Sequence, residues 1–199
     1  AMSPNVRVDT TFNGTGSGML DWLQAMLVGL VRKFLAGETL FVNTYKGTSG
    51  GQRVMLAPAM VGDIERVTLD GGHPFTVQSS SYLASTKNVA MDLIWGGFSM
   101  LFSKEGAFFL RCKGEGEVLV NSYGAIEKIE IDGSYRVDTG HVVGFQGDLQ
   151  YKIRRVGGWK STLLSGEGLI LEFTGTGTLW MQTRNMGATV GWITPHLPR

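Results

Sequence analysis

One strand pattern is written three times along this chain, and that repetition limits what it can fold into. Residues 51–62 read "GQRVMLAPAMVG", residues 114–124 "GEGEVLVNSYG" and residues 175–185 "GTGTLWMQTRN". The second and third copies register closely. Val77 falls on Val137, Asn88 on Asp148 and Val89 on Leu149, an offset of 60; Gly114 and Gly116 then fall on Gly175 and Gly177, an offset of 61. The first copy is more worn. "GETLFVNTYKG" matches "KEGAFFLRCKG", "VMLAP" matches "VLVNS", and "DIERVTLDGG" matches "AIEKIEIDGS". Upstream, "AMSPNVRVDT" matches "ASTKNVAMDL", which pairs Asn5 with Asn88 and Asp9 with Asp92. The first copy lacks a counterpart of "PFTVQSSSYL", and a segment of that kind is expected ahead of Ala1. "RVDT" occurs at Arg7–Thr10 and Arg136–Thr139, at different points of the repeat, and reads as coincidence.

Each copy reads as several short strands. "AFFLRCKG", "EVLVNSYG" and "AIEKIEID" mix β-branched and aromatic residues in partial alternation. The recurring glycine pairs read as turns between them, and the imperfect alternation of Ile126, Ile129 and Ile131 predicts a bulge. A copy of about 60 residues would by itself expose an apolar face and two strand edges. Three copies can cover one another. The expectation is an all-β fold: three tandem β repeats around a pseudo-threefold axis in a single domain, 1–199. Repeat one spans 1–71, repeat two 72–132 and repeat three 133–194.

The composition suits this. Hydrophobic residues make up 43% and charged residues 18% of the 199, which is globular rather than disordered. Glycine is frequent, at 29 residues, which favours many turns and little long helix. A net charge of +1 supplies no global attraction to nucleic acid or anionic lipid. The single cysteine, Cys112, excludes an internal disulfide and a cysteine-built zinc site, and within "FFLRCKG" it reads as a strand residue.

One segment breaks the pattern. After the glycine-rich "NGTGSG", "MLDWLQAMLVGLVRKFL" reads as an inserted apolar helix near 19–35, with Trp22, Leu23, Met26, Leu27, Leu30 and Phe34 on a wide apolar arc. Asp21 near its start and Arg32 and Lys33 near its end suit the helix dipole. Three readings stand in this order: a cap on an open end of the β body, a contact between subunits, or a helix lying on a membrane surface.

Reactive constellations are harder to find. A cupin-type metal site needs a closely spaced histidine pair with a carboxylate and a distant third histidine, whereas His73, His141 and His196 are single and far apart. No Gly-x-Ser-x-Gly elbow occurs, and no glycine run is followed by Gly-Lys-Ser/Thr. Glu115, Glu117, Glu127 and Glu130 have no evident catalytic partner. The strongest local charge is "YKIRRVGGWK", where Lys152, Arg154, Arg155 and Lys160 lie beside Tyr151 and Trp159. Such interleaving can follow a phosphate backbone and stack bases. A solvated strand face whose charges protect an edge is the plainer reading, so nucleic acid is not the expected partner.

The strings "GETLFVNTYKG", "VMLAP" and "GDIERVTLDG", following a glycine-rich lead and an apolar helix, resemble the altered-inheritance-of-mitochondria family over essentially the whole chain. The resemblance implies a double-stranded β-helix fold similar to the tryptophan-sensing RNA-binding attenuation protein, pseudo-threefold symmetry and a tendency to assemble. Mitochondrial relatives are linked to inner-membrane organisation. It brings no catalytic residues and no cofactor. The expected function is a non-enzymatic, homo-oligomeric scaffold or interaction protein, cytoplasmic, with peripheral membrane contact through the 19–35 helix. A small-ligand or RNA-binding module is the alternative, and a cupin-like metal enzyme the least favoured.

Overall fold

The computed structural model describes residues 1–12, 41–94, 109–155 and 169–197. The predicted helix near 19–35 lies outside the described residues. Two compact units are formed, Ala1–Ala57 and Pro58–Arg199.

In the first unit, β1 (Val6–Phe12) and β2 (Phe41–Gly47) form an antiparallel ribbon in unbroken register from Val6 opposite Gly47 to Phe12 opposite Phe41. Lys46 reaches across to Asp9 at 2.8 Å, and Met2 forms an isolated bridge with Val54.

The second unit is built on antiparallel strands: β3 (Ile64–Asp70), β4 (Phe75–Gln78), β5 (Tyr82–Ser85), β6 (Val89–Ile94), β7 (Phe109–Asn121), β8 (Ile126–Asp138), β9 (Val142–Arg155) and β10 (Leu169–Gln182). Their order is β3-β7-β4-β9-β10-β8, with β5 and β6 also on β7. A short helix, α1 (Met186–Ile193), follows β10. Single-turn helices at Ser79–Ser81 and Thr139–His141 carry the chain from β4 to β5 and from β8 to β9.

Strand β7 explains how such a sheet encloses a core. Its first half pairs with β4 and β6, and its second half pairs with β3 and β5. The change of partners falls at Gly114–Gly116. There a Cβ on Gly114 would lie 2.5 Å from the carbonyl oxygen of Asn88, and φ is +106°. Side-chain residues rarely adopt that conformation, and no atom fits in that space. Strand β10 repeats the close approach while keeping β8 and β9 as partners throughout: Gly175, at φ +126°, is pressed against the carbonyl oxygen of Asp148. The glycines expected to be turns are therefore bends inside single long strands. Cross-strand bonding continues through them because the missing Cβ lets the backbones approach. The bulge expected near Ile126–Ile131 is also corrected. Strand β8 pairs with β10 in continuous register, and the irregularities lie between Tyr82 and Ala84 and between Trp180 and Met181.

The pairing of β3–β7 recurs in β8–β10. Ile64 opposes Asn121 as Ile126 opposes Gln182; Phe75 opposes Cys112 as Tyr135 opposes Phe173; Val89 opposes Gly114 as Leu149 opposes Gly175. Strand β3, which closes repeat one in the sequence reading, thus pairs with β7 of repeat two. Bonds of the same kind recur inside the first unit. Ser3 N donates to Arg53 O and Arg53 N to Ser3 Oγ, each at 2.9 Å, as Thr86 N donates to Glu117 O and Glu117 N to Thr86 Oγ1. Lys46–Asp9 matches Lys113–Asp92, at 2.8 and 2.7 Å.

Two apolar clusters fill the second unit. One joins Phe75, Val77, Cys112, Val118, Val143 and Trp180; the other joins Phe109, Phe145, Leu171, Phe173 and Leu179. Phe145 sits edge-on to Phe173 at 4.9 Å and to Tyr151 at 5.3 Å. Burying each such side chain is worth about 1.5–3 kcal/mol. Strand β4 meets β9 through Thr76–Phe145 and Val77–Gly144, where a Cβ on Gly144 would strike the Phe75 ring.

Gly175→Ala should destabilise the fold by about 3 kcal/mol, since strain and a backbone clash coincide. Gly133→Ala, at φ +111° with nothing within 4 Å of the added Cβ, should cost only about 1 kcal/mol. Guanidinium unfolding midpoints of the two variants measure the difference, and equal costs would contradict the close-approach argument.

Candidate functional site

The polar face of the second unit is organised around Glu172. Alternation along β10 places Leu171 and Phe173 in the core and Glu172 on the opposite face. Register sets it against Arg136 of β8 and Lys152 of β9. Arg136 donates from Nε and Nη2 at 2.9 and 2.6 Å, and Arg154 donates from Nε to the other carboxylate oxygen. The hydrogen bonds from Arg136 and then Arg154 hold the Glu172 carboxyl below its ordinary range. Arg154, proposed from sequence as an anion contact, is thus engaged with a carboxylate. Lys152 is exposed beside it. Arg155 pairs through its backbone with Leu169, while Lys160 lies outside the described residues. So do Trp22, Leu23, Met26, Leu27, Leu30 and Phe34.

A second charged group lies at the junction of β3 with β10. Trp180 Nε1 donates to Glu65 at 3.3 Å, Lys128 pairs with the same carboxylate, and its ammonium stands 5.9 Å from the Trp180 ring. Trp180 is thereby buried with its one polar atom satisfied.

The three histidines occupy separate settings. His73 is exposed, 3.6 Å from Asp148. His141 Nδ1 lies 2.7 Å from the carbonyl oxygen of Gln182, whose side-chain amide donates to Gly140 O and whose side-chain oxygen accepts from Tyr123 N. His196 packs against Trp192 at 5.8 Å between ring centres. Among the described residues no three His, Cys, Asp or Glu side chains converge on a common point. Cys112 is fully buried, and desolvation pushes its thiol from 9.0 up to about 12. Burial likewise raises the phenols of Tyr82 and Tyr151, and Lys46 lowers Asp9. Each of these shifts moves its group away from neutrality.

Apolar surface is the less expected feature. Helix α1 is capped by Asn185, whose side chain accepts from Ala188 N at 3.1 Å, and it contains no charged residue and no buried one. Met186, Val190, Ile193 and Leu197 are exposed, and Trp192 is 70% exposed. The helix was not anticipated. Its signals were an N-cap asparagine, an uncharged run and Pro195 after the helix. The first unit carries a second apolar surface, a depression of about 260 Å³ lined by Met2, Val8, Tyr45, Val54 and Met55 together with Ala1. Among the described residues no helix is long and apolar enough to cross a membrane.

These features define a mostly β protein with a curled antiparallel sheet, an ion-paired outer face and uncovered apolar patches. The chain belongs to the mitochondrial biogenesis AIM24 family, which it matches over residues 1–184. It is 31% identical over 198 residues to an uncharacterized protein of Streptococcus pyogenes serotype M6, covering 98% of this chain and 77% of the relative. A crystal structure of a Streptococcus pyogenes protein from a structural genomics programme superposes with a TM-score of 0.77 at 26% identity, covering 99% of this chain and 85% of that one.

Two outcomes follow from the shifted groups. Because the Glu172 carboxyl is lowered in the fold, its contribution is present above the ordinary value of 4.5 and is lost as pH falls through the folded value. Glu172→Gln should flatten the acid limb of the stability–pH curve, and an unchanged limb would contradict the pairing. Because the Cys112 thiol is raised, the folded protein should resist Ellman's reagent at pH 8 and react with one equivalent once unfolded. Its contribution to stability should fall as pH rises from 9 towards 12.

Proposed function

We propose that this protein is a non-enzymatic interaction scaffold that works as a homo-oligomer, its chain folded as three tandem β repeats about a pseudo-threefold axis. The matched pairings of β3–β7 with β8–β10, and the matched Ser3–Arg53 and Thr86–Glu117 bonds, support the triplication. The observation that carries the scaffold reading is α1, a helix with no charge, no buried residue and a tryptophan at its surface. Helices apolar all round are normally covered, and aromatic residues of this kind anchor interfaces. A second copy is the covering partner in this reading, and peripheral contact of a cytoplasmic assembly with a membrane through residues 19–35 is its extension. An RNA- or small-anion-binding role through Lys152, Arg154, Arg155 and Lys160 is weaker, because Glu172 already partners Arg154.

Native mass spectrometry at micromolar concentration tests the reading. The intact protein should form one discrete oligomer, and Trp192→Glu should weaken its association about tenfold or more with unchanged circular dichroism. Removing 19–35 should dissociate the assembly if that segment is the contact, and leave it whole but less stable if it is a cap. An intact protein that is strictly monomeric would end the scaffold reading.

A further inference from the structure

One titratable side chain stands on the apolar surface of α1. Thr194–His196 forms a single helical turn directly after Ile193, and the His196 ring lies 5.8 Å from the Trp192 ring, centre to centre, at 60°. Both rings are exposed. No carboxylate accompanies them: α1 contains no charged residue, and the chain has no Asp or Glu after Glu172. Among the described residues α1 is the element this turn chiefly packs against. The cation ahead of the helix, Arg184, stands 5.7 Å from the Tyr123 ring.

Histidine ordinarily changes charge between about pH 8 and pH 5. Neutral, the imidazole extends the apolar face that carries Trp192, Ile193 and Leu197. Protonated, it sets a cation in that face with no acidic partner on α1 or in the chain that follows it. A charge taken out of water without a partner is strongly disfavoured. A cation within about 6 Å of an indole centre is attracted to it, which keeps the charge beside Trp192. A contact in which the same patch enters from both copies brings in two such charges.

We infer that the subunit contact through α1 is switched by pH, with His196 as the group that titrates. Two copies hold together through this face while the imidazole is neutral and separate as it gains a proton. The inference rests on the reading of α1 as the contact between copies and adds the regulation of that contact. Association is strong above the histidine range and is lost as pH falls through it.

Sedimentation equilibrium of the intact chain at pH 7.5 and pH 5.5 tests the switch, with circular dichroism recorded at both values to show that the fold is retained. Association should weaken about tenfold or more at the lower pH. His196→Gln, whatever its strength at pH 7.5, should associate equally at both values; His73 and His141 remain in that variant, so the loss of pH dependence assigns it to His196. His196→Arg, charged throughout, should associate at pH 7.5 as weakly as the unaltered chain does at pH 5.5. An oligomer of equal strength at both values overturns the switch and leaves the scaffold standing. So does a His196→Gln variant that keeps the full pH dependence. An intact protein that is monomeric at both values ends the scaffold reading and the switch with it.

Discussion

The close approach of backbones at two bends is the constraint on which the rest of the second unit depends. The carbonyl of Asn88 occupies the place of a Cβ on Gly114, and the carbonyl of Asp148 that of a Cβ on Gly175. Because β7 can bend there without losing its bonds, its two halves serve different partners. Cys112 on one half and Val118 on the other then enter the same apolar cluster. Strand β10 bends at the corresponding place between β8 and β9. A flat sheet of these strands would leave one apolar face in water, whereas the curl encloses it.

The outer face answers to different physics. Lys46–Asp9, Lys113–Asp92 and Arg66–Glu117 are exposed pairs at cross-strand positions, and each contributes about 1 kcal/mol or less. They join neighbouring strands at the surface, while the clusters around Phe75 and Phe145 hold the fold. Glu172 differs because two guanidiniums converge on it from β8 and β9, tying three strands through one carboxylate. The groups whose proton affinities depart from their ordinary values do so for these structural reasons: the carboxyls of Asp9 and Glu172 are lowered by their cationic partners, and the buried thiol of Cys112 and the phenols of Tyr82 and Tyr151 are raised. Among the described residues, exposed large apolar side chains include Val190 and Trp192 of α1 and Val8 and Tyr45 of the first unit.

Much of this was legible in the chain. The registration of Gly114 with Gly175 and of Asn88 with Asp148 named the residues that meet at the bends, yet it read the glycines as turns. A glycine between apolar runs marks a turn or a close approach equally well, and only the neighbouring strand distinguishes them. Lys152 and Arg154 were visible as cations, but the partner of Arg154 was not, because Glu172 lies on another strand and reaches it only through pairing. The exposed helix α1 was missed because eight uncharged residues after a strand resemble more core.

Sequence by itself determined the strand content and the family, because those rest on local pattern and spacing. Tertiary structure decided that the strands run long through their glycines, that Cys112 is sealed in the core, and that Trp192 is exposed on α1. Burial belongs to the neighbours a residue acquires in space, and no local pattern carries that information.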